Sequence, residues 1–395
     1  MVLFQFAVSL FATVLVYRLA RCFRLGRWIS LGVAAAYATS LQFVVDQTIA
    51  SDSLCASTFT IAACILAELA LRRAPPSPLP LIAAGMLIAA SFLTRDVIAF
   101  VAVGLGPLAA ASVAGANAWL RRAAAFILVF LPLVVTYLGY VEWNRSRVGA
   151  AVVTTVSQWS LLDPLVRASR YDPTFFSDDS PIAQTGRRVA KNFTLDESLE
   201  ANKVLHRDFG WDAVRTAREV TAAYIRAWVD HPGAMARHAL GFLSESQLHQ
   251  AVRPTETIRD VLLWNTGSDR EFAREDAVRA GNWWMIPAVI VHRLCEAIST
   301  VVFAAFLLVT PLRLMREGVN AETATAAGLW FSYLACLGLH AAVNVHPRYL
   351  LPVLAGSIVV GVVNVVWVVA RWRSRGAARV SSGSTENSGI TAGSR

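Results

Sequence analysis

Long apolar runs separated by short polar stretches dominate the first and last thirds of the chain. Each run approaches the roughly 20 residues that an α-helix needs to cross a bilayer. The pattern predicts nine membrane-spanning helices, at residues 2–20, 28–45, 54–71, 79–93, 97–113, 123–141, 285–308, 326–343 and 349–370. We therefore expect an all-α polytopic membrane protein.

A polar segment, residues 142–284, separates the sixth predicted span from the seventh. Its stretch "WDAVRTAREVTAAYIRAWV" has apolar residues at helical spacing, and "DHPGAMARHALGFL" restarts a helix with Pro232 near its first turn. We expect this segment to be mostly helical. The predicted organisation is a membrane core at 1–141, the helical segment at 142–284, three spans within 285–370, and a disordered Ser/Gly/Thr-rich tail at 371–395.

Outside the polar segment, most arginines fall in alternate short loops. Thirteen lie on one predicted side, namely Arg18, Arg21, Arg24, Arg27, Arg72, Arg73, Arg121, Arg122, Arg313, Arg316, Arg371, Arg373 and Arg375. Short loops on the other side carry only Arg95 and Arg348. Because positive short loops mark the cytoplasmic side, this distribution predicts a cytoplasmic C-terminus and places Met1 and the polar segment outside.

Composition agrees with a membrane protein and limits the partners. The chain is 55% hydrophobic, has a mean hydropathy of +0.49 and contains 16% charged residues, whereas a soluble domain carries about 25%. The net charge of +9 does not indicate a nucleic-acid groove, because residues 142–284 hold 18 basic and 19 acidic residues. Glu68 and Glu296 lie within predicted spans, close to their ends, and have no assigned role.

Five stretches in the same order resemble the GT-C glycosyltransferases, which include the protein O-mannosyltransferases and the lipid A aminoarabinose transferases. The first, covering residues 3–73, is similar to their early membrane core. The others are "LIAAGMLIAASFLTRDVIAFVAVG", "VEWNRSRVGAAVVTTVSQWSLL", "AAYIRAWVDHPGAMARHALGFL" and "VHPRYLLPVLAGSIVV". The resemblance implies sugar transfer from a polyprenyl-phosphate donor to a glycolipid, polysaccharide or protein, at the periplasmic face of a bacterial inner membrane.

Members of that group begin with a further span and a large outside loop that carries the acidic general base. This chain starts where their second span would lie. We therefore expect residues upstream of Met1 that supply the missing span and the base. The uncharged leading run, with four arginines behind it, points to the same missing span.

Two candidate site residues lie at the outer ends of early predicted spans. Asp52 matches the second acidic position of the resembled group, where a carboxylate can bind a divalent cation or orient the acceptor. Its alternative role is to cap the helix that follows. Arg95 matches a basic position, and its guanidinium suits bidentate phosphate binding. The alternatives for Arg95 are an ion pair with Asp96 or snorkelling towards lipid headgroups.

Arg348 and Tyr349 match the Arg-Tyr element of the group and are candidates for contact with donor phosphate or acceptor. Anchoring at the membrane interface is the competing role for both. Asp46 and His346 are weaker candidates, as a loop carboxylate and a neighbouring imidazole. No histidine with metal-ligand spacing stands beside His346, so a zinc site is not expected.

Two other classes of function remain open. A transporter or flippase would need charged or broken helices near the middle of the membrane, whereas the polar residues here concentrate at its edges. A catalytically incomplete remnant or an accessory subunit would lack the first outside loop.

Overall fold

The computed structural model describes residues 2–40, 51–72, 77–113, 119–154, 160–191, 197–244, 286–343 and 350–385. Every regular element within these ranges is a helix. The first membrane part contains α1 (Val2–Cys22), α2 (Arg27–Ala38), α3 (Ser51–Arg72), α4 (Pro78–Thr94), α5 (Ile98–Ala111) and α6 (Trp119–Val148). The polar segment contains α7 (Leu162–Ala168), α8 (Pro181–Lys191), α9 (Glu197–Phe209), α10 (Ala213–Asp230) and α11 (Pro232–Ser244). The last part contains α12 (286–317), α13 (Ala321–Val343) and α14 (Leu351–Thr385).

Each of the nine predicted spans overlaps a helix, and six helices among the described residues are long and apolar enough to cross a membrane. These six lie in α1, α3, α6, α12, α13 and α14. The prediction of an all-α, multi-pass membrane protein is thus confirmed in its coarse form. Helices α4 and α5 are shorter apolar helices, and a 3₁₀ turn at Ala102–Leu105 tightens α5.

The sequence predicts a disordered tail at residues 371–395, of which the structure describes residues 371–385. Helix α14 continues without interruption to Thr385, well past the end of its apolar stretch. The reason is local, because residues 371–380 are mostly Arg, Ala and other residues that helices tolerate, and elongating a formed helix avoids the cost of nucleation.

The core of the membrane bundle is held by close backbone contacts as well as by large buried side chains such as Tyr37 and Tyr333. A Cβ atom at Gly85 of α4 would lie 2.5 Å from the Val129 carbonyl oxygen of α6. The Ser332 hydroxyl of α13 donates to the Gly104 carbonyl of α5 at 2.6 Å. Small residues therefore let neighbouring helices approach closely, as is typical of helix packing in membranes.

The described part of the polar segment, within residues 160–244, forms a helical domain with its own apolar core, which includes Leu162, Trp211 and Met235. This domain packs on the C-terminal end of α13, where the Tyr224 hydroxyl donates to the Ala342 carbonyl at 2.8 Å. We call this end of the bundle the domain end. The opposite end, where Arg18, Arg72 and Arg313 lie in ion pairs, is called the arginine end.

Candidate functional site

The structure brings together two residues that the sequence proposes separately. Asp52 lies in the first turn of α3, and its side chain is only 10% exposed. Arg95 follows the last residue of α4 in extended backbone, and its side chain is 26% exposed. The guanidinium of Arg95 forms an ion pair with the Asp52 carboxylate at the domain end. Arg95 therefore pairs with a carboxylate 43 positions earlier in the chain, a partner that the sequence did not propose.

Hydroxyl groups fix the two helices that carry this pair. The hydroxyls of Thr58 on α3 and Ser91 on α4 are 2.7 Å apart and hydrogen-bonded to each other. The backbone N–H of Arg95 donates to the Ser91 carbonyl at 2.9 Å, and the Thr94 hydroxyl donates to the same carbonyl at 2.6 Å. These contacts end α4 at a defined residue, so the direction in which the Arg95 side chain leaves the helix is set by backbone geometry.

A cleft of about 270 Å³ opens beside the ion pair. It is lined by Phe92, Leu93, Thr94, Arg95, Asp96, Tyr140, Val153 and Thr154. The cleft thus has an apolar wall and a polar wall that contains a guanidinium, a carboxylate and hydroxyl groups. Such a mixed lining suits a molecule with an apolar portion and a polar or anionic head.

One wall of the cleft is an aromatic group at the domain end of α4 and α6. The Phe92 ring lies 5.8 Å from that of Tyr137 and 6.3 Å from that of Tyr140, while Tyr140 lies 5.3 Å from Trp143. Tyrosine and tryptophan rings are enriched at membrane interfaces, because each has an apolar body and a polar tip. The aromatic group therefore marks the level at which lipid headgroups are expected.

The chain reverses sharply after α6 and returns to the cleft. The Asn144 side-chain amide donates to the carbonyls of Val152 and Val153, both at 2.8 Å. This double contact holds the turn and brings Thr154 to the rim of the cleft. Tyr140 and Thr154 were missed by sequence reasoning, because their role depends on a contact between segments and not on a motif.

The inner side of the site is formed by α13. His340 lies close enough to Arg95 to interact with it electrostatically, and its Nδ1 lies 2.7 Å from the Cys336 carbonyl oxygen. The side chains of His340 and Cys336 are both buried. Helix α13 therefore connects the candidate site to the helical domain, whose Tyr224 contacts Ala342, two residues after His340.

The helical domain contributes a second buried imidazole at its contact with α13. His238 of α11 is buried beside the backbone of Val343. Burial, followed by the positive charge of Arg167, lowers the pKa of His238 to about 4. At neutral pH this imidazole is uncharged, which favours close packing of the domain against the end of the bundle.

Asp46, His346, Arg348 and Tyr349 lie outside the described residues, so their assignments remain predictions. Among the described residues, no group of three or more His, Cys, Asp or Glu side chains is arranged to hold a metal ion. The Asp52 carboxylate, a proposed cation ligand, belongs to no such group and forms an ion pair with Arg95.

Comparison of the chain with family models, with curated proteins and with solved structures finds no match. The functional interpretation therefore rests on the geometry of the candidate site and on the five sequence stretches described above.

Proposed function

We propose that this protein is a membrane glycosyltransferase of the GT-C type. It would move a sugar from a polyprenyl-phosphate donor to a glycolipid, polysaccharide or protein acceptor at the domain end of the bundle. The observation that carries the proposal is the Asp52–Arg95 ion pair beside an apolar-walled cleft at the ends of membrane helices. A lipid-linked phosphate needs this combination, an apolar surface for its chain and a cation at headgroup level.

The proposed chemistry assigns separate tasks to the two charged residues. In sugar transfer, the bond between the anomeric carbon and the phosphate oxygen breaks while the acceptor hydroxyl oxygen bonds to that carbon and gives its proton to a general base. The leaving phosphate gains negative charge, which the Arg95 guanidinium would stabilise through paired N–H groups. Asp52 would hold the guanidinium in orientation, so it acts as a positioning residue and not as the base that takes the acceptor proton.

The proposed topology follows from charge. All nine apolar segments would cross the membrane, with the helical domain on the periplasmic side of a bacterial inner membrane. The arginine end and the C-terminus would lie in the cytoplasm, because positively charged short loops stay on that side. This orientation would place the cleft on the outer face, where polyprenyl-phosphate sugars are presented.

The test uses the full chain in liposomes with undecaprenyl-phosphate hexoses and pentoses as donors and a glycan and lipid extract as acceptor. Release of undecaprenyl phosphate, measured by mass spectrometry, reports transfer from any of these donors. We expect Arg95→Gln to lower the rate by about 100-fold, the scale found when one transition-state hydrogen-bond donor is removed. The matched control is Arg145→Gln, because Arg145 forms an exposed ion pair with Glu142 near the same end of α6.

An unchanged rate in Arg95→Gln would contradict the site assignment. Absence of donor-dependent release by folded, donor-binding protein would contradict the enzymatic proposal, and would favour the alternative of an accessory subunit.

A further inference from the structure

Three charged residues form a compact cluster at the arginine end, away from the candidate site. Oε2 of Glu68 on α3 accepts a hydrogen bond from Arg18 of α1 at 3.0 Å and from Arg72 of α3 at 3.1 Å. Glu68 is buried, whereas the arginine side chains are 51% and 57% exposed. One buried carboxylate oxygen thus holds two exposed guanidiniums side by side.

The cluster carries an excess positive charge. A single arginine would neutralise Glu68, and the i,i+4 contact of Arg72 would be sufficient for that purpose. Arg18 comes from a different helix and adds a second cation to the same oxygen. Each guanidinium has five N–H donors, and Glu68 accepts one from each in the hydrogen bonds described. Because both arginine side chains are about half exposed, N–H groups of the two guanidiniums remain accessible beside the same carboxylate oxygen, and a phosphate group can bind such neighbouring guanidiniums.

The position of Arg18 on α1 points to a lipid as the source of that phosphate. Phe11 and Val14 are exposed apolar residues that precede Arg18 at helical spacing. Arg18 therefore ends an outward-facing apolar stripe at the level where the helix leaves the hydrocarbon. The exposed ring of Trp28 at the start of α2 lies on the same end, with the Arg27 guanidinium 5.7 Å from its centroid.

We propose that Arg18 and Arg72 bind the phosphate group of an anionic phospholipid at the arginine end, with Glu68 holding both guanidiniums in place. The acyl chains of this lipid lie along the apolar stripe of α1. A free phosphate could make the same hydrogen bonds to the arginines, but it has no acyl chain to contact the apolar stripe of α1. The site is independent of the cleft at the domain end and of the proposed transfer reaction.

The experiment titrates the full chain, purified in neutral detergent, with phosphatidylglycerol, with phosphatidylcholine and with inorganic phosphate. Native mass spectrometry counts the bound lipids and gives an apparent Kd. We expect phosphatidylglycerol to bind more tightly than phosphatidylcholine. The single substitutions Arg18→Gln and Arg72→Gln should each raise the apparent Kd for phosphatidylglycerol about fivefold. Arg24→Gln is the matched control, because Arg24 is exposed at the same end and lies outside the cluster.

The double variant Arg18→Lys with Arg72→Lys keeps both positive charges. It keeps the proposal testable if the glutamine variants fail to fold. Lysine keeps the charge attraction to phosphate but lacks the planar guanidinium that donates two parallel hydrogen bonds. We therefore expect the apparent Kd for phosphatidylglycerol to rise about twofold to threefold. An equal loss in Arg24→Gln would show diffuse surface attraction and overturn the site. Equal affinity for the two phospholipids would also overturn it, and displacement by equimolar inorganic phosphate would overturn the lipid assignment.

Discussion

Asp52 and Arg95, 43 positions apart in the chain, form an ion pair that joins the first turn of α3 to the residue after α4. The pair closes one corner of the α3–α4 hairpin at the domain end, and its arginine lines the cleft. Its two members therefore contribute to stability as well as to the proposed reaction, and the two roles can be separated by experiment.

We expect Asp52→Asn to lower the free energy of unfolding by about 1–3 kcal/mol. The change removes the charge partner of a largely buried guanidinium, which costs more than loss of an exposed pair. Thermal melting of the purified chain in detergent measures the effect. Arg145→Gln disrupts the exposed pair with Glu142 and should change stability by no more than about 1 kcal/mol. Equal changes in the free energy of unfolding for Asp52→Asn and Arg145→Gln would contradict the prediction, because they would mean that water screens the Asp52–Arg95 pair as well as it screens an exposed pair.

The double exchange Asp52→Arg with Arg95→Asp separates the two roles of the pair. If the pair can form in reverse, we expect the melting temperature to recover relative to Asp52→Arg alone. Donor-dependent transfer should stay at the level of Arg95→Gln, because the carboxylate at position 95 repels phosphate. Recovery of transfer together with stability would assign the pair a purely structural role.

Arg313 and Arg316 give a second contrast, at the arginine end. The buried Arg313 donates to Glu317 at 2.9 Å and to Glu322 at 2.8 Å, whereas Arg316 is exposed. We expect Arg313→Met to destabilise the protein by about 1–3 kcal/mol, because it leaves two partly buried carboxylates without their shared cation. Arg316→Met should change stability by less than about 0.5 kcal/mol. Melting curves of the two variants in one detergent provide the comparison, and similar shifts would contradict it.

Two glycines test the close packing of the bundle. A Cβ atom at Gly85 would lie 2.5 Å from the Val129 carbonyl oxygen, so Gly85→Ala must push α4 away from α6. We expect a loss of about 1–3 kcal/mol. Gly139, on the exposed face of α6, has nothing within 4 Å of the corresponding position. Gly139→Ala should be neutral or slightly stabilising, because alanine favours the helix. Equal melting temperatures for the two variants would contradict the close approach.

Acid should weaken the contact between the helical domain and α13. The folded protein holds the pKa of His238 at about 4, below the ordinary value of 6.5 for histidine, so the unfolded chain takes up the proton first. Stability is therefore unaffected above about pH 6.5 and falls as the pH drops from there towards 4. The charges facing His238 are those of Arg167 and Arg170. Melting temperatures between pH 7 and pH 4.5 should fall less in His238→Gln than in the natural protein.

The sequence by itself located the helices of the membrane part. A run of apolar residues long enough to cross a bilayer is a local property, and each predicted span overlaps a helix. It also identified Asp52 and Arg95 as candidates, through separate matches in the resemblance. The sequence did not indicate that the last helix extends to Thr385, because the loss of hydrophobicity after residue 370 does not by itself end a helix.

Only the tertiary structure decided which charges meet. Arg313 and Arg316 look equivalent in the sequence, yet one is buried between two carboxylates and the other is exposed. Glu68 holds one arginine from its own helix and one from α1, and Asp52 meets Arg95 from the neighbouring helix. Burial and ion pairing depend on how separate helices pack, and residues far apart in the chain set that packing together.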